Sequence, residues 1–236
     1  MIDIQSLIDI DKMATLALNG SDSLYLDSVS NLYTTIWVWI PLALAAVYLI
    51  IRNVDSRYLI PILILIVLTV VICDQVSSHF AKPFFARFRP SRDLSMLHQI
   101  DTVGGYHGLL YGFFSGHAAN SFGIAVLLMW IVRDWWFGLS VGIWATVNSL
   151  IRVYLGVHFV GDILVGAAFG TLTGTLLYWL FRLYSKGKLL SPVCVDRYSN
   201  IFTSSGFKRE DIFLFLSFLF GTGIFILIFA CLRQLL

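Results

Sequence analysis

Long apolar segments dominate this chain and restrict it to one kind of fold. Each is close to the roughly 20 apolar residues that one bilayer crossing requires. The segments lie near residues 34–51, 58–80, 116–132, 135–154, 159–183 and 211–232. Hydrophobic residues make up 58% of the chain and charged residues only 13%, so too little polar surface remains to cover a water-soluble globule. The sequence predicts an all-α, polytopic transmembrane helix bundle of about six spans.

The N-terminal segment, residues 2–18, differs from these spans because acidic residues interrupt it. Asp3, Asp9 and Asp11 stand among apolar residues that recur at helical spacing, and Asn19-Gly20 indicates the end of a helix. Two placements fit this pattern. The helix lies along the membrane interface, or it packs against the spans.

Basic residues orient the predicted bundle. The loops after spans one, three and five contain Arg52, Arg57, Arg133, Arg182, Lys186, Lys188, Arg197, Lys208 and Arg209. By the positive-inside rule, this face is cytoplasmic. The opposite face contains a second group of cations, against the rule: Lys82, Arg87, Arg89, Arg92 and Arg152. Because charge near a membrane is costly and usually functional, a bound anion best explains this second group. The net charge of +2 is too small to indicate a nucleic-acid partner.

The segment from Arg152 to Asp162 reads RVYLGVHFVGD and has the most informative spacing. His158 and Asp162 are four residues apart, so on a helix they share one face. A carboxylate there fixes the tautomer of the imidazole and leaves the other ring nitrogen free to attack an electrophile. The alternative is a core histidine that a neighbour satisfies. The same four-residue step continues through Gly166, Gly170 and Gly174, which predicts a small-residue ridge that packs closely against another helix.

Two further motifs carry cations or histidine at the ends of apolar segments. Ser115-Gly116-His117 stands where the third span begins, and a helix N-terminus is an anion-binding site. His117 there is a candidate proton donor to a leaving oxygen, although an N-cap serine followed by a chance histidine gives the same pattern. The segment KPFFARFRP contains Lys82 and Arg89, whose charges suit phosphate oxygens, with snorkelling at a span end as the alternative. Cations at these positions repel a divalent metal, so we expect no metal and no cofactor.

These motifs resemble the signature of the type 2 phosphatidic acid phosphatase superfamily, which includes lipid phosphate phosphatases and vanadium haloperoxidases. The family pattern is Lys, six residues, Arg-Pro; then Pro-Ser-Gly-His; then Ser-Arg, five residues, His, three residues, Asp. This chain matches it at Lys82, Arg89-Pro90, Ser115-Gly116-His117, Arg152, His158 and Asp162, over roughly residues 60–180. Phe114 replaces the usual Pro and Ile151 the usual Ser.

The resemblance implies a role for each matched residue. His158 is the expected nucleophile, Asp162 its partner and His117 the general acid. The residues expected to hold the phosphate are Lys82, Arg89, Ser115, Gly116 and Arg152. On this basis we expect one membrane-embedded phosphatase domain over residues 1–236. It comprises an interfacial segment (1–30), a catalytic core (60–180) and an additional C-terminal span (211–232).

The expected activity is metal-independent removal of phosphate from a membrane lipid through a phosphohistidine intermediate. The resemblance points to lipid A, undecaprenyl diphosphate, phosphatidate or phosphatidylglycerol phosphate as the substrate class. The expected location is a bacterial inner membrane with the site facing the periplasm. Two alternatives remain open: a lipid phosphotransferase with the same site, and a non-catalytic transporter or binding protein for lipid phosphates. The sequence leaves the oligomeric state undetermined.

Overall fold

The computed structural model describes residues 3–186 and 203–235. The helices are, in chain order, α1 (Ile4–Leu18), α2 (Leu24–Tyr33), α3 (Ile40–Asn53), α4 (Ser56–Gln75), α5 (Lys82–Phe85), α6 (Gly116–Val132), α7 (Trp135–Tyr154), α8 (Val160–Tyr184) and α9 (Arg209–Leu235). No β-strand ladder forms within the described ranges, apart from the single bridge between Phe88 and Tyr111. The predicted all-α class is therefore confirmed.

Four helical segments are long and apolar enough to cross a bilayer: Ile36–Asn53, Ser56–Phe85, Val160–Tyr184 and Arg209–Gln234. The second runs continuously from α4 through a π-helical segment into α5. Helix α6 is apolar but shorter, with 17 residues. Helix α7 follows it after a short turn and has 20 residues. The prediction of about six spans therefore holds as an approximation.

Helices α6 and α8 form the most extensive helix contact in the bundle, and the predicted glycine ridge produces it. A Cβ atom added at Gly166 would lie 2.5 Å from the Ser115 carbonyl oxygen. The corresponding distance is 2.1 Å from Gly170 to the Ala119 oxygen and 2.4 Å from Gly174 to the oxygen of Gly123. Only glycine permits this approach of α8 to the backbone of α6. Because both helices begin at the same end of the bundle, the ridge also brings their first residues together.

Helix α1 packs across the start of α8, and its expected position along the membrane interface stays a prediction. The Thr15 hydroxyl accepts a hydrogen bond from the Val160 N–H group (3.1 Å). Asn19, at the end of α1, donates to the carbonyl of Tyr154 at the end of α7 (2.9 Å). The outward face of α1 remains apolar and exposed, as at Met13. Helix α1 is therefore anchored to the bundle at one end of the spans.

The opposite end of the bundle holds the basic residues that flank the spans. Asn53, which ends α3, donates to Asp211 in α9 (2.9 Å) and accepts from the Lys208 N–H group (2.7 Å). Arg209 Nη1 lies 3.9 Å from Oδ2 of Asp134, the N-cap residue of α7. The polar loop predicted over residues 184–210 lies mostly outside the described residues. The basic loops and the three motifs thus occupy opposite ends of the bundle.

Candidate active site

The first motif begins where the long α4–α5 helix ends. A π-helical segment, Val76–Ala81, precedes Lys82, the first residue of α5. The Lys82 ammonium donates to the Ser78 hydroxyl one turn earlier (3.3 Å). Ser77 donates to the carbonyl of Phe114 (2.9 Å), immediately before the second motif. π-Helical turns are frequent at functional sites, and this one connects the first motif to the second.

Arg89 reaches the site from an extended segment after α5. Its backbone N–H group donates to the carbonyl of Leu110 (3.3 Å). Its Nη1 donates to the Val157 carbonyl (2.8 Å) and lies 3.3 Å from His158 Nε2. The buried guanidinium group therefore covers the free edge of the imidazole ring.

The second motif forms the start of α6. Ser115 is the N-cap, and its Oγ accepts a backbone N–H group of the first turn (3.4 Å). Its own N–H group donates to the Asp162 carbonyl (3.0 Å), which joins the starts of α6 and α8. A Cβ atom on Gly116 would lie 3.2 Å from Ser77 Oγ and 3.9 Å from Lys82 Nζ. The N-terminal N–H groups and the ammonium group therefore converge on one volume, as an anion site requires.

His158 and Asp162 form a buried pair at the start of α8. His158 Nδ1 lies 3.4 Å from Asp162 Oδ2, and the same oxygen accepts the Phe159 N–H group (3.0 Å). Asp162 is fully buried and His158 is 2% exposed. Burial lowers the pKa of His158 to about 4, against the opposite influence of the Asp162 carboxylate. The imidazole is therefore neutral at pH 7, which a nitrogen nucleophile requires.

Arg152 comes from the last turn of α7 and is buried. Its carbonyl accepts the Val157 N–H group (3.1 Å), which fixes the turn that leads to His158. Within residues 3–186 and 203–235, the buried Nε atoms of Arg89 and Arg152 have no hydrogen-bond acceptor. Buried donors are normally satisfied. Each of these two guanidinium groups therefore has a donor available for a further acceptor.

His117 is the second residue of α6, and its side chain is exposed. Its electrostatic neighbours are Arg152, His158, Lys82 and Arg89. The structure therefore brings the eight residues selected from the three motifs together at one end of the bundle. Their catalytic and phosphate-binding roles stay predictions.

The contacts of Arg87 do not fit the interpretation that a bound anion explains the cations on this face. Its Nη1 donates to Asp162 Oδ1 (3.0 Å) and its Nη2 to Asp11 Oδ2 (2.7 Å). Its guanidinium carbon lies 4.0 Å from the centre of the Phe159 ring. Two carboxylates therefore balance this charge, and the anion interpretation is wrong for Arg87.

Sequence reasoning also missed two residues beside the His158–Asp162 pair. Asp11 contacts Arg87 from helix α1, where it had been considered only as an acid that interrupts an apolar segment. A Cβ atom on Gly112 would lie 3.0 Å from Asp162 Oδ2 and 3.6 Å from His158 Nδ1. Neither residue stands at a fixed spacing from a motif, so no local signal identified them.

The two departures from the family pattern fall on structural positions. The carbonyl of Phe114 accepts the Ser77 hydroxyl, and the Phe114 ring packs in an apolar cluster with Ala119 and Cys73. Ile151 packs against the apolar clusters that contain Val157 and Ile226. Both side chains therefore contribute to packing around the site.

Comparisons with known proteins identify the family to which the chain belongs. The profile of the PAP2 superfamily matches residues 59–185. The chain is 32% identical to the lipid A 4′-phosphatase of Porphyromonas gingivalis, over 87% of this chain and 86% of that protein. It is 31% identical to the lipid A 4′-phosphatase of Bacteroides thetaiotaomicron, over 94% of this chain and 97% of that protein.

The fold also resembles a solved structure, that of a transmembrane PAP2-type phosphatidylglycerolphosphate phosphatase from Bacillus subtilis. The TM-score is 0.55, with 18% identity, and the match covers 84% of this chain and 92% of the other. At this identity the likeness concerns the fold alone.

The helical bundle and the site define an integral membrane phosphatase that acts on lipid phosphates. The chain belongs to the PAP2 superfamily.

Proposed function

We propose that this membrane lipid phosphatase hydrolyses a phosphate monoester of lipid A, without a metal ion, through a phosphohistidine at His158. Two relatives that align with nearly the whole chain are named lipid A 4′-phosphatases, which supports this substrate over the other lipid phosphates considered. The chemistry needed is the same for any of these substrates. The relatives therefore support the choice of substrate, and the arrangement of the site supports the proposed mechanism.

The unsatisfied guanidinium donors carry the proposal. Arg89 and Arg152 are buried, and within the described part of the chain their Nε atoms have no acceptor. Arg89 Nη1 lies 3.3 Å from His158 Nε2, the ring nitrogen that faces away from Asp162, and Arg152 is an electrostatic neighbour of Arg89 and His117. We infer that a phosphate group supplies acceptors for these donors and presents its phosphorus atom to His158 Nε2 once Arg89 bonds the phosphate oxygens. Fixed donors of this kind also stabilise the charge that develops on the equatorial oxygens of the transferring phosphoryl group.

In the first step, His158 Nε2 forms a bond to phosphorus while the bond from phosphorus to the lipid oxygen breaks. His117 donates a proton to the departing oxygen. Asp162 holds the Nδ1–H group and stabilises the positive charge that the ring acquires. In the second step, a water molecule gives a proton to His117 and attacks phosphorus. The bond from phosphorus to nitrogen then breaks, which releases inorganic phosphate and restores neutral His158.

The arrangement of charge supports a site at the non-cytoplasmic face. The motifs lie at one end of the bundle, and the loop residues Arg52, Arg133 and Arg209 lie at the other. By the positive-inside rule, the end rich in loop cations is cytoplasmic. The substrate then presents its phosphate from the outer leaflet and keeps its acyl chains in the bilayer.

The test is phosphate release by the purified protein from lipid A, undecaprenyl diphosphate and phosphatidylglycerol phosphate, with a chelator present. We expect release from lipid A that persists with chelator. His158→Ala should abolish it, whereas His98→Ala, at an exposed position in the connection before α6, should retain it. Rapid quenching with labelled substrate should trap an acid-labile phosphoenzyme in the wild type. Full activity of a folded His158→Ala protein would refute the mechanism, and activity only on another lipid would refute the substrate.

A further inference from the structure

Helix α1 reaches the catalytic pair through one acidic residue. Asp11 Oδ2 accepts Arg87 Nη2 at 2.7 Å, and Asp11 Oδ1 accepts the Gly161 N–H group at 2.7 Å. Arg87 Nη1 in turn donates to Asp162 Oδ1 at 3.0 Å. A continuous chain of polar contacts therefore runs from Asp11 through Arg87 and Asp162 to His158.

The Asp11 side chain lies close against the start of α8. A Cβ atom on Gly161 would lie 2.8 Å from Asp11 Oδ2, so a larger residue at this position would displace the Asp11 side chain. The Asp11 side chain is 17% exposed and that of Arg87 is 28% exposed, so water screens their interaction only partly. The Phe159 ring covers one face of the Arg87 guanidinium group.

Charge balance gives this contact a consequence for the reaction. Arg87 alone would neutralise the Asp162 carboxylate, which then stabilises a positive imidazole ring poorly. With Asp11 present, the three groups carry a net charge of −1 beside His158. This charge matters most when the bond between Nε2 and phosphorus forms, because His158 retains its Nδ1 proton and becomes cationic. An interaction that strengthens in the transition state lowers the barrier and leaves substrate binding unchanged.

We propose that Asp11 is a positioning residue for His158 that acts through Arg87, so that helix α1 is a functional part of the active site. The proposal rests on the proposed role of His158 as the nucleophile. It assigns α1 a function beyond its position at the end of the spans. Asp11 makes no direct contact with His158, so its influence passes through the Arg87–Asp162 ion pair.

Asp11→Asn is the informative variant because it keeps the shape and the oxygen that accepts the Gly161 N–H group, but it places an NH2 group where Oδ2 accepts Arg87 Nη2, so the charge and the bond to Arg87 are both lost. We expect kcat to fall by about 10- to 100-fold, as is typical when an outer partner of a site residue is removed. KM should stay within about twofold and Tm within error of the wild type. Asp9→Asn is the matched control, because Asp9 is on the same helix, is exposed and accepts a hydrogen bond from the Gln5 side chain (3.0 Å).

A double-mutant cycle tests whether Asp11 acts on His158 through Arg87. In an Arg87→Gln background, Asp11→Asn should have little further effect, because the group through which it acts is already gone. Thr15→Val removes an anchor between α1 and α8 without touching Arg87, and it should leave kcat near the wild-type value.

Three results would overturn the proposal: wild-type kcat in Asp11→Asn, effects of Asp11→Asn and Arg87→Gln that multiply independently, or an equal loss of kcat in Thr15→Val. Failure of the proposed function has a different signature. In that case the folded wild-type protein would release no phosphate, or His158→Ala would remain active.

Discussion

Gly170→Ala tests whether the glycine ridge holds the active site together. The added Cβ atom would lie 2.1 Å from the Ala119 carbonyl oxygen of α6, where an ordinary contact begins at 3.4 Å. Both partners are helix backbone, so neither can rotate away. Helices α6 and α8 must therefore separate by about 1.3 Å at this level.

This separation has two measurable consequences. Overpacking costs about 1–3 kcal/mol, and the better helix propensity of alanine offsets about 1 kcal/mol of it, so the net destabilisation is at most about 2 kcal/mol. The displacement also acts on the Ser115 N–H bond to the Asp162 carbonyl, which joins the two helix starts at 3.0 Å. A misplacement of about 1 Å can reduce the rate by about 10²-fold. We therefore expect a lower Tm in detergent and a kcat reduced by about 100-fold.

Two other glycines make the comparison specific. Gly174→Ala meets the Gly123 oxygen at 2.4 Å but lies one turn further from the site, so it should lower Tm similarly and kcat less. Gly221→Ala in α9 meets nothing within 4 Å and should leave both quantities unchanged or raise Tm slightly. Wild-type Tm and kcat in Gly170→Ala would refute the reasoning that close packing of α6 and α8 positions the site.

Three further predictions follow from the site. The folded-state pKa of His158, about 4, lies below its ordinary value of 6.5, so the unfolded chain binds more protons between these values and stability falls as pH falls from 6.5 to 4. Between pH 7 and pH 4, the free energy of unfolding should fall by about 3 kcal/mol less in His158→Asn than in the wild type, measured by unfolding in detergent. In Gly116→Ala, the new methyl group intrudes between Ser77 and Lys82. Inhibition by inorganic phosphate should weaken by about tenfold, the equivalent of one charge-assisted hydrogen bond, and unchanged inhibition would place the anion elsewhere. Arg152→Lys keeps the charge but loses the buried Nε donor, so kcat/KM should fall at least about tenfold, whereas Arg182→Lys at the other end should have no effect.

Much of the fold was readable from the sequence because its causes are local. A span is a run of apolar residues, and its length follows from the thickness of the bilayer. The four-residue step from His158 to Asp162 and on to Gly174 places these residues along one face of a helix without knowledge of any partner. The contact of this face with the backbone of α6 agrees with that expectation.

The roles of the two neighbouring arginines show where local reasoning ends. Arg87 and Arg89 are two residues apart in an extended segment, and both look equally suited to an anion. In the structure, Arg89 lies against His158 with an unsatisfied Nε atom, while Arg87 is bound by two carboxylates. The difference arises from Asp11, which is 76 residues away from Arg87 along the chain.

The sequence by itself determined the helical membrane fold and identified the residues of the three motifs, because composition, periodicity and spacing act within one or two turns of chain. Only the tertiary structure decided which cation lies against His158 and which belongs to an ion pair with two carboxylates. Contacts such as that between Asp11 and Gly161, 150 residues apart, depend on how α1, α8 and the segment between α5 and α6 pack together. Such contacts have no fixed spacing, since each is set by the packing of whole helices.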